Sequence, residues 1–447
     1  MKGLIKTIKQ IWAVEELRNR IGYTLLLILV YRIGSFIVLP GVNTDALDSS
    51  ASQGGILSLI NMFAGGAFSR ASIMALGIMP YISASIVMQL LGMAVPTIQK
   101  LQREGESGRK KMNQYTRYLT IIICLFQAPS YMYAYVIGTG GANVVPDQSI
   151  LWWIQTVSVL TAGTMFVTWL GERITDRGIG NGISLIITIG IIAGLPGSFL
   201  QELGAKVTDG GMVMLLVEMV VLLLVILVTI LLVQGTRRIP VQTAKRVIGR
   251  GNRQAIAGGQ RSYIPLKINQ AGVMPIIFAQ ALMFLPSMMF QGSSFGATFS
   301  NIQGFWYNAV FFLMIVLFTY FYTAIMMNPN QMADELKRNG SFIPGVKPGR
   351  KTSEFIDSLI SRLVLPGSIF LGIIAILPAF AMNAGVQQGF AYFFGGTSLL
   401  IMVGVVLDTL QQIESHLLNR HYDGLMKGAR IKGRSSGASA VTMSQSL

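Results

Sequence analysis

Apolar residues gather into about ten long runs separated by polar segments, near residues 21–40, 70–92, 118–138, 150–170, 183–200, 212–235, 270–290, 305–327, 358–381 and 392–413. Each run approaches the ~20 residues that a helix needs to cross the hydrocarbon core of a bilayer. The pattern predicts an all-α membrane protein with ten transmembrane helices. One apolar stretch fits differently. Gly54 to Arg70, GGILSLINMFAGGAFSR, is too short between the pairs Gly54–Gly55 and Gly65–Gly66 to cross. It reads either as a stopper folded back into protein or as a helix lying on the surface. At the N-terminus, Leu4, Ile8, Ile11, Trp12 and Leu17 share one helical stripe among basic residues, which predicts an interfacial amphipathic segment over 1–20.

Charge sorts the loops. Of the 35 basic residues, all but Arg32, Arg70, Lys206 and Arg362 fall in the N-terminal segment, the loops after even-numbered spans, and the tail. Basic loops stay cytoplasmic, so both termini are expected inside. The net charge of +16 then sits almost wholly on one face. Anionic membrane lipids account for part of it. The loop after the sixth span carries Arg237, Arg238, Lys245, Arg246, Arg250, Arg253, Arg261 and Lys267 with no acid. That density fits either topology alone or an acidic partner such as ribosomal RNA.

The residues offer little chemistry. Cys124 is the single cysteine and His416 and His421 lie in the tail, so neither a disulfide framework nor a metal site is expected. No GxxxxGK[ST] string is present. Gly178-Ile179-Gly180-Asn181-Gly182 has no strand before it and reads as a tight turn. No cofactor and no catalytic role are expected. Arg32 within the first span, Glu218 within the sixth and Asp408 near the inner end of the tenth are intramembrane charges. Glu218 reads as a partner for a base of another subunit or as a transport group. A solute transporter would need several such acids around one cavity.

Long strings along the chain resemble the SecY family, the central subunits of Sec protein-conducting channels. They are YRIGSFIVLPGV, RASIMALGIMPYISASIVMQLL, EGESGRKKMNQYTRY, WLGERITDRGIGNGISL, GTRRIPVQTAKR, YIPLKINQAGVMP, FYTAIMMNPNQMADELKRNGSFIPGVKPG and FFGGTSLLIMVGVVLD. The resemblance implies two pseudo-symmetric five-helix halves around a central pore, 21–205 and 206–413, followed by a cytoplasmic tail, 414–447. No repeat is evident from the apolar runs themselves.

By the same resemblance Ile78, Ile82, Ile187, Ile277 and Ile401 match the pore ring. Stiff, β-branched side chains suit an apolar collar that excludes ions; on residue type alone each reads as core packing. The segment 56–69, with Ile56, Leu57, Leu59, Ile60, Met62, Phe63 and Phe68, matches the plug. Gln89 and Asn269 match polar positions of a lateral gate between the second and third spans and the seventh and eighth. Ordinary interhelical hydrogen bonding is the plainer reading of both. The cytoplasmic loops 236–268 and 328–357 match a docking surface. Its candidates are Arg237, Arg238, Arg246, Arg250, Arg253, Arg261, Lys347 and Arg350. Lys347 stands where the family commonly has arginine, and lysine lacks the fork.

The implied partners are SecE and SecG, the motor ATPase SecA, the ribosome, signal sequences and nascent secretory chains. The implied activity is passage of unfolded polypeptides across the membrane and lateral release of transmembrane segments into lipid. A bacterial cytoplasmic membrane is the expected location.

Overall fold

The computed structural model of the protein describes residues 12, 14–43, 61–138, 144–145, 148–208, 211–243, 246–248, 255–257, 261–289 and 301–428. Ten helices coincide with the ten apolar runs: α1 (Glu15–Gly34), α2 (Met79–Ala94), α3 (Glu106–Tyr131), α4 (Ile150–Arg177), α5 (Gly182–Thr208), α6 (Met212–Gln234), α7 (Met274–Met289), α8 (Phe305–Met326), α9 (Arg350–Asn383) and α10 (Gly396–Gly428). Seven of them, α3 to α6 and α8 to α10, are long and apolar enough to cross a membrane by those criteria alone. The other three have local reasons. The helix α1 begins in the polar stretch EELRNR, and α2 and α7 are only 16 residues long.

The packing repeats. In the first five helices α2 packs on α3, α3 on α4, α4 on α5, and α1 against α4 and α5. The same relations return five helices later: α7 on α8, α8 on α9, α9 on α10, and α6 against α9 and α10. The two sets meet mainly through α5, which touches α6 and α10. Because successive helices alternate in direction, α2 and its counterpart α7 run oppositely through the bundle. This is an inverted repeat.

One expectation from the apolar runs needs correction. The run 70–92 is not one helix, because residues 64–78 lie almost wholly in turns and α2 starts only at Met79. Arg32 lies within the first span as expected, in the last turn of α1.

At the basic end the loops are not mere loops. Strands β1 (Thr236–Thr243) and β4 (Arg261–Lys267) pair antiparallel from Thr236↔Lys267 to Gln242↔Arg261. A short β2 (Arg246–Ile248) and β3 (Ala255–Ala257) pair separately, and β5 (Ser341–Phe342) joins β1 through Gln242 and Thr243. Alternation explains the sheet. Ile239 and Val241 face inward while Arg238 and Pro240 face out. Pro240 is tolerated because β5 does not extend to it, so β1 has one neighbour there. Ile239, Val241, Leu266 and Ile343 pack on Ile356, Leu359, Ile360 and Val364 of α9.

Candidate functional site

Before α2 the chain threads residues 61–78 through the bundle largely without helix, and most of them are buried. Backbone carbonyls in an apolar interior need donors, and side chains of α1 and α3 with its π-helical extension (Met132–Ile137) supply them. Tyr31 Oη donates to the Ala64 carbonyl at 3.3 Å and Arg32 Nη1 to the Gly65 carbonyl at 3.1 Å. Tyr131 Oη donates to Phe68 at 2.7 Å and Tyr135 Oη to Ser69 at 3.5 Å. The Leu39 and Ile73 amides cross-bond to the Ala71 and Ile37 carbonyls at 2.9 Å each. Phe68 packs edge-on against Tyr131, centroids 4.7 Å apart, while Met62 and Phe63 lie against the main core. Of the plug candidates, Ile56, Leu57, Leu59 and Ile60 lie outside the described residues. Of these donors, Arg32 was singled out as an intramembrane charge, whereas Tyr31, Tyr131 and Tyr135 were missed because each sits in an ordinary apolar run.

All five ring candidates belong to one large apolar cluster, Ile78, Ile187 and Ile401 as buried members and Ile82 and Ile277 as partly buried residues packed against the cluster. Their placement follows the repeat. Ile82 and Ile277 are each the fourth residue of their helices, α2 and α7. Ile187 and Ile401 are each the sixth residue of α5 and α10. So four helices, two starting from each end of the bundle, present isoleucine within their first two turns. The strings GIMPYI (77–82) and GVMPII (272–277) carry this in sequence. In each, glycine takes positive φ, +54° at Gly77 and +63° at Gly272, and proline opens the helix.

The gate candidates do not meet as a pair. Tyr322 Oη of α8 donates to Gln89 Oε1 of α2 at 3.4 Å, spanning the seam between halves. Asn269 Nδ2 instead donates to the Gly272 carbonyl at 3.1 Å, closing the turn before α7, while its buried Oδ1 has no hydrogen-bond partner. Thr397 donates to Gln280 Oε1 at 3.1 Å, tying α10 to α7. Nothing in the sequence distinguishes Tyr322 from its aromatic neighbours.

On the far side of the bundle, α5 runs eight residues beyond its expected end and carries Lys206 alongside α6. Lys206 Nζ lies 3.0 Å from Glu218 and 3.6 Å from Glu202, and donates to the Gly385 carbonyl at 3.0 Å. Glu202 Oε2 accepts from the Gln387 amide at 2.8 Å. Glu218 is thus paired within its own chain, near the start of α6. The expected base from another subunit is not needed.

The docking candidates group at the basic end. Arg237 and Arg238 on β1 and Arg261 on β4 are exposed, as are Lys347 and Arg350. The β1–β5 pairing brings the two loops into one sheet. Arg350 and Lys351 contact Glu354 at 3.2 and 2.9 Å, and the hydrogen bond from Lys351, with its charge, holds the Glu354 carboxyl below its usual range. Arg246 falls in β2, and Arg250 and Arg253 lie outside the described residues. Among the described residues, no three His, Cys, Asp or Glu side chains gather as metal ligands.

The profile of the SecY family matches residues 72–410. The protein translocase subunit SecY of Mycobacterium bovis is 42% identical over 442 residues, covering 92% of this chain and 97% of that one. Its counterpart in Streptomyces scabiei is 41% identical over 434 residues, with coverage of 92% and 97%. A solved structure described as that of a protein conducting channel superposes with a TM-score of 0.64 at 18% identity, covering 93% of this chain and 95% of the other. Sec61 from a canine ribosome-channel complex gives 0.60 at 17%, with coverage of 93% and 95%. The fold is that of ten transmembrane helices in two pseudo-symmetric halves around a central pore, and the chain belongs to the SecY family.

Proposed function

We infer that this chain is the channel-forming subunit of a protein translocase. It conducts unfolded secretory polypeptides across the membrane and releases apolar segments sideways into lipid. The observation that carries this reading is the isoleucine cluster, built by counterpart helices from opposite ends of the bundle. An apolar waist approached from both sides passes a flexible chain and resists hydrated ions by dewetting. The seam between α2 and α8 carries one long polar contact, through Tyr322 and Gln89. Such contacts contribute only about 0.6 kcal/mol on average in membranes, so the seam can part for a signal sequence.

The chain supplies no motor of its own in this reading. SecA or the ribosome drives transport from the basic face, docking on Arg237, Arg238 and Arg261 and on the Lys347–Arg350 turn. SecE and SecG brace the two halves. The expected bounds shift to the helix ends: an amphipathic segment that runs into α1, two five-helix halves dividing after α5 at Thr208 rather than at 205, and a tail that begins within α10. Both termini are cytoplasmic, in a bacterial inner membrane. In support, the loops facing that side hold nearly all the positive charge.

A photoreactive residue at position 82, with a secretory chain stalled halfway through export, tests the path. Adducts between position 82 and the stalled chain are expected. Adducts confined to the 236–268 and 328–357 loops would remove the pore assignment.

A further inference from the structure

Counterpart isoleucines come from both halves, but the helices that carry them are tied differently. Gln280 lies one turn beyond Ile277 on α7, and Thr397 lies one turn before Ile401 on α10. Residues three or four apart share a helix face. Because α7 and α10 run in opposite directions, both isoleucines sit one turn to the same side of the level of Gln280 and Thr397. The two helices touch, and Thr397 Oγ1 donates to Gln280 Oε1 at 3.1 Å. Among the described residues no other hydrogen bond joins α7 to α10. Ile277 and Ile401 belong to the one apolar cluster of the ring candidates. The matching positions of the first half are Ser85 and Ile183. These two cannot bond in the same way, because isoleucine has no polar side-chain atom, and Ser85 instead accepts from Gln89 of its own helix at 3.5 Å.

The donor side of this bond is fixed. Gly396 takes φ +68°, and Gly395 packs so closely on α9 that a Cβ there would lie 2.4 Å from the Ile374 carbonyl oxygen. Ser398 Oγ donates to the Tyr392 and Gly395 carbonyls at 2.5 and 3.2 Å. The start of α10 is therefore set by α9, with the buried Thr397 hydroxyl turned to α7. Beside the bond lies a cavity of about 30 Å³, lined by Gln280 and Thr397 and, among others, by Tyr307, Asn308, Tyr392 and Ser398. It has room for a water and polar groups to hold one. Either partner can exchange the bond for water there at small cost. We propose that Gln280 and Thr397 are positioning residues for the ring. Their bond sets where α7 rests on α10, keeps Ile277 level with Ile401 and so seals the resting channel to ions; it yields to water when α7 moves aside for a chain. This rests on the ring reading given above.

The test is the ion conductance of the complete translocase, with its partner subunits, in planar bilayers without a translocating chain, read beside the melting temperature of the same complex. Thr397→Val removes the donor and keeps the shape. It should raise resting conductance about threefold, the population shift that one interhelical bond in a membrane supports. Gln280→Met should do the same, and the double variant should leak no more than either alone, because both remove one bond. Thr397→Ser, which keeps the hydroxyl, should stay sealed. Melting temperatures should hardly move, whereas a merely structural bond would show there and not in conductance. If Thr397→Val does not assemble, Gln280→Met carries the comparison. Unchanged conductance in the single variants overturns the proposal. So does a double variant whose leak multiplies the single effects, or Thr397→Ser leaking as much as Thr397→Val. Ile401→Gly separates the two readings. A leak there, with Thr397→Val and Gln280→Met tight, removes the positioning role alone; no leak there removes the ring and the positioning role together.

Discussion

The two halves bring matching isoleucines into one apolar cluster from opposite ends, and their approaches differ. Residues 77–82 and 272–277 have the same glycine, methionine, proline and isoleucine at matching positions. Ahead of the first lies a buried, mostly non-helical segment whose carbonyls are served by Tyr31, Arg32, Tyr131 and Tyr135. Ahead of the second lies β4, an edge strand paired on one side with β1, then Asn269 closing one turn. A shared helix start can thus be fed by very different backbones, provided each backbone's polar groups are met. The first half meets them with side chains from neighbouring helices. The second meets them with its own strands.

The largest break in this comparison is expected where the halves join. Lys206→Met strands Glu202 and Glu218, both nearly shielded from solvent. It should cost about 3–5 kcal/mol, read as a lowered melting temperature of the reconstituted complex. An unchanged melting temperature would mean that water reaches the carboxylates. Next in size is Tyr131→Phe, which leaves the Phe68 carbonyl without its 2.7 Å donor. About 1–3 kcal/mol is expected, together with raised ion conductance of resting vesicles if the loosened segment unseats the seal. Asn269→Ala in the other half should cost only about 1 kcal/mol, since its Oδ1 already has no partner. If a denaturant titration gave Asn269→Ala the greater loss, the contrast between the two approaches would be wrong. Smallest is Tyr322→Phe, which removes the 3.4 Å contact to Gln89. About 0.6 kcal/mol is expected, visible as a modest rise in export of a chain with a weakened signal sequence rather than as lost stability.

The apolar runs located all ten helices because a membrane span needs only length and hydropathy to be read. They failed wherever burial was not helical. Residues 70–78 are as apolar as α2 itself, so hydropathy merged them with it. The strands escaped notice because Arg237, Arg238 and Pro240 mask a two-residue alternation that only Ile239 and Val241 betray. Glu218 was legible as a buried acid, but Lys206 had been placed in a loop, because the apolar run ended before the helix did. The repeat went unseen because six residues leave no trace in a pattern of twenty-residue runs. The ring assignment rests on family resemblance; what the structure adds is that Ile82 and Ile277, and Ile187 and Ile401, hold matching places in counterpart helices.

The pinning of the segment before α2 has a kinetic consequence. Asn43 is held through its amide to the Val144 carbonyl at 2.9 Å, and from Asn61 onward the chain is bonded into the bundle. Residues 61–69 can leave the bundle only by breaking the bonds to Tyr31, Arg32, Tyr131 and Tyr135. Release and return are then first-order events within one molecule, so their rates do not depend on how many copies a membrane holds.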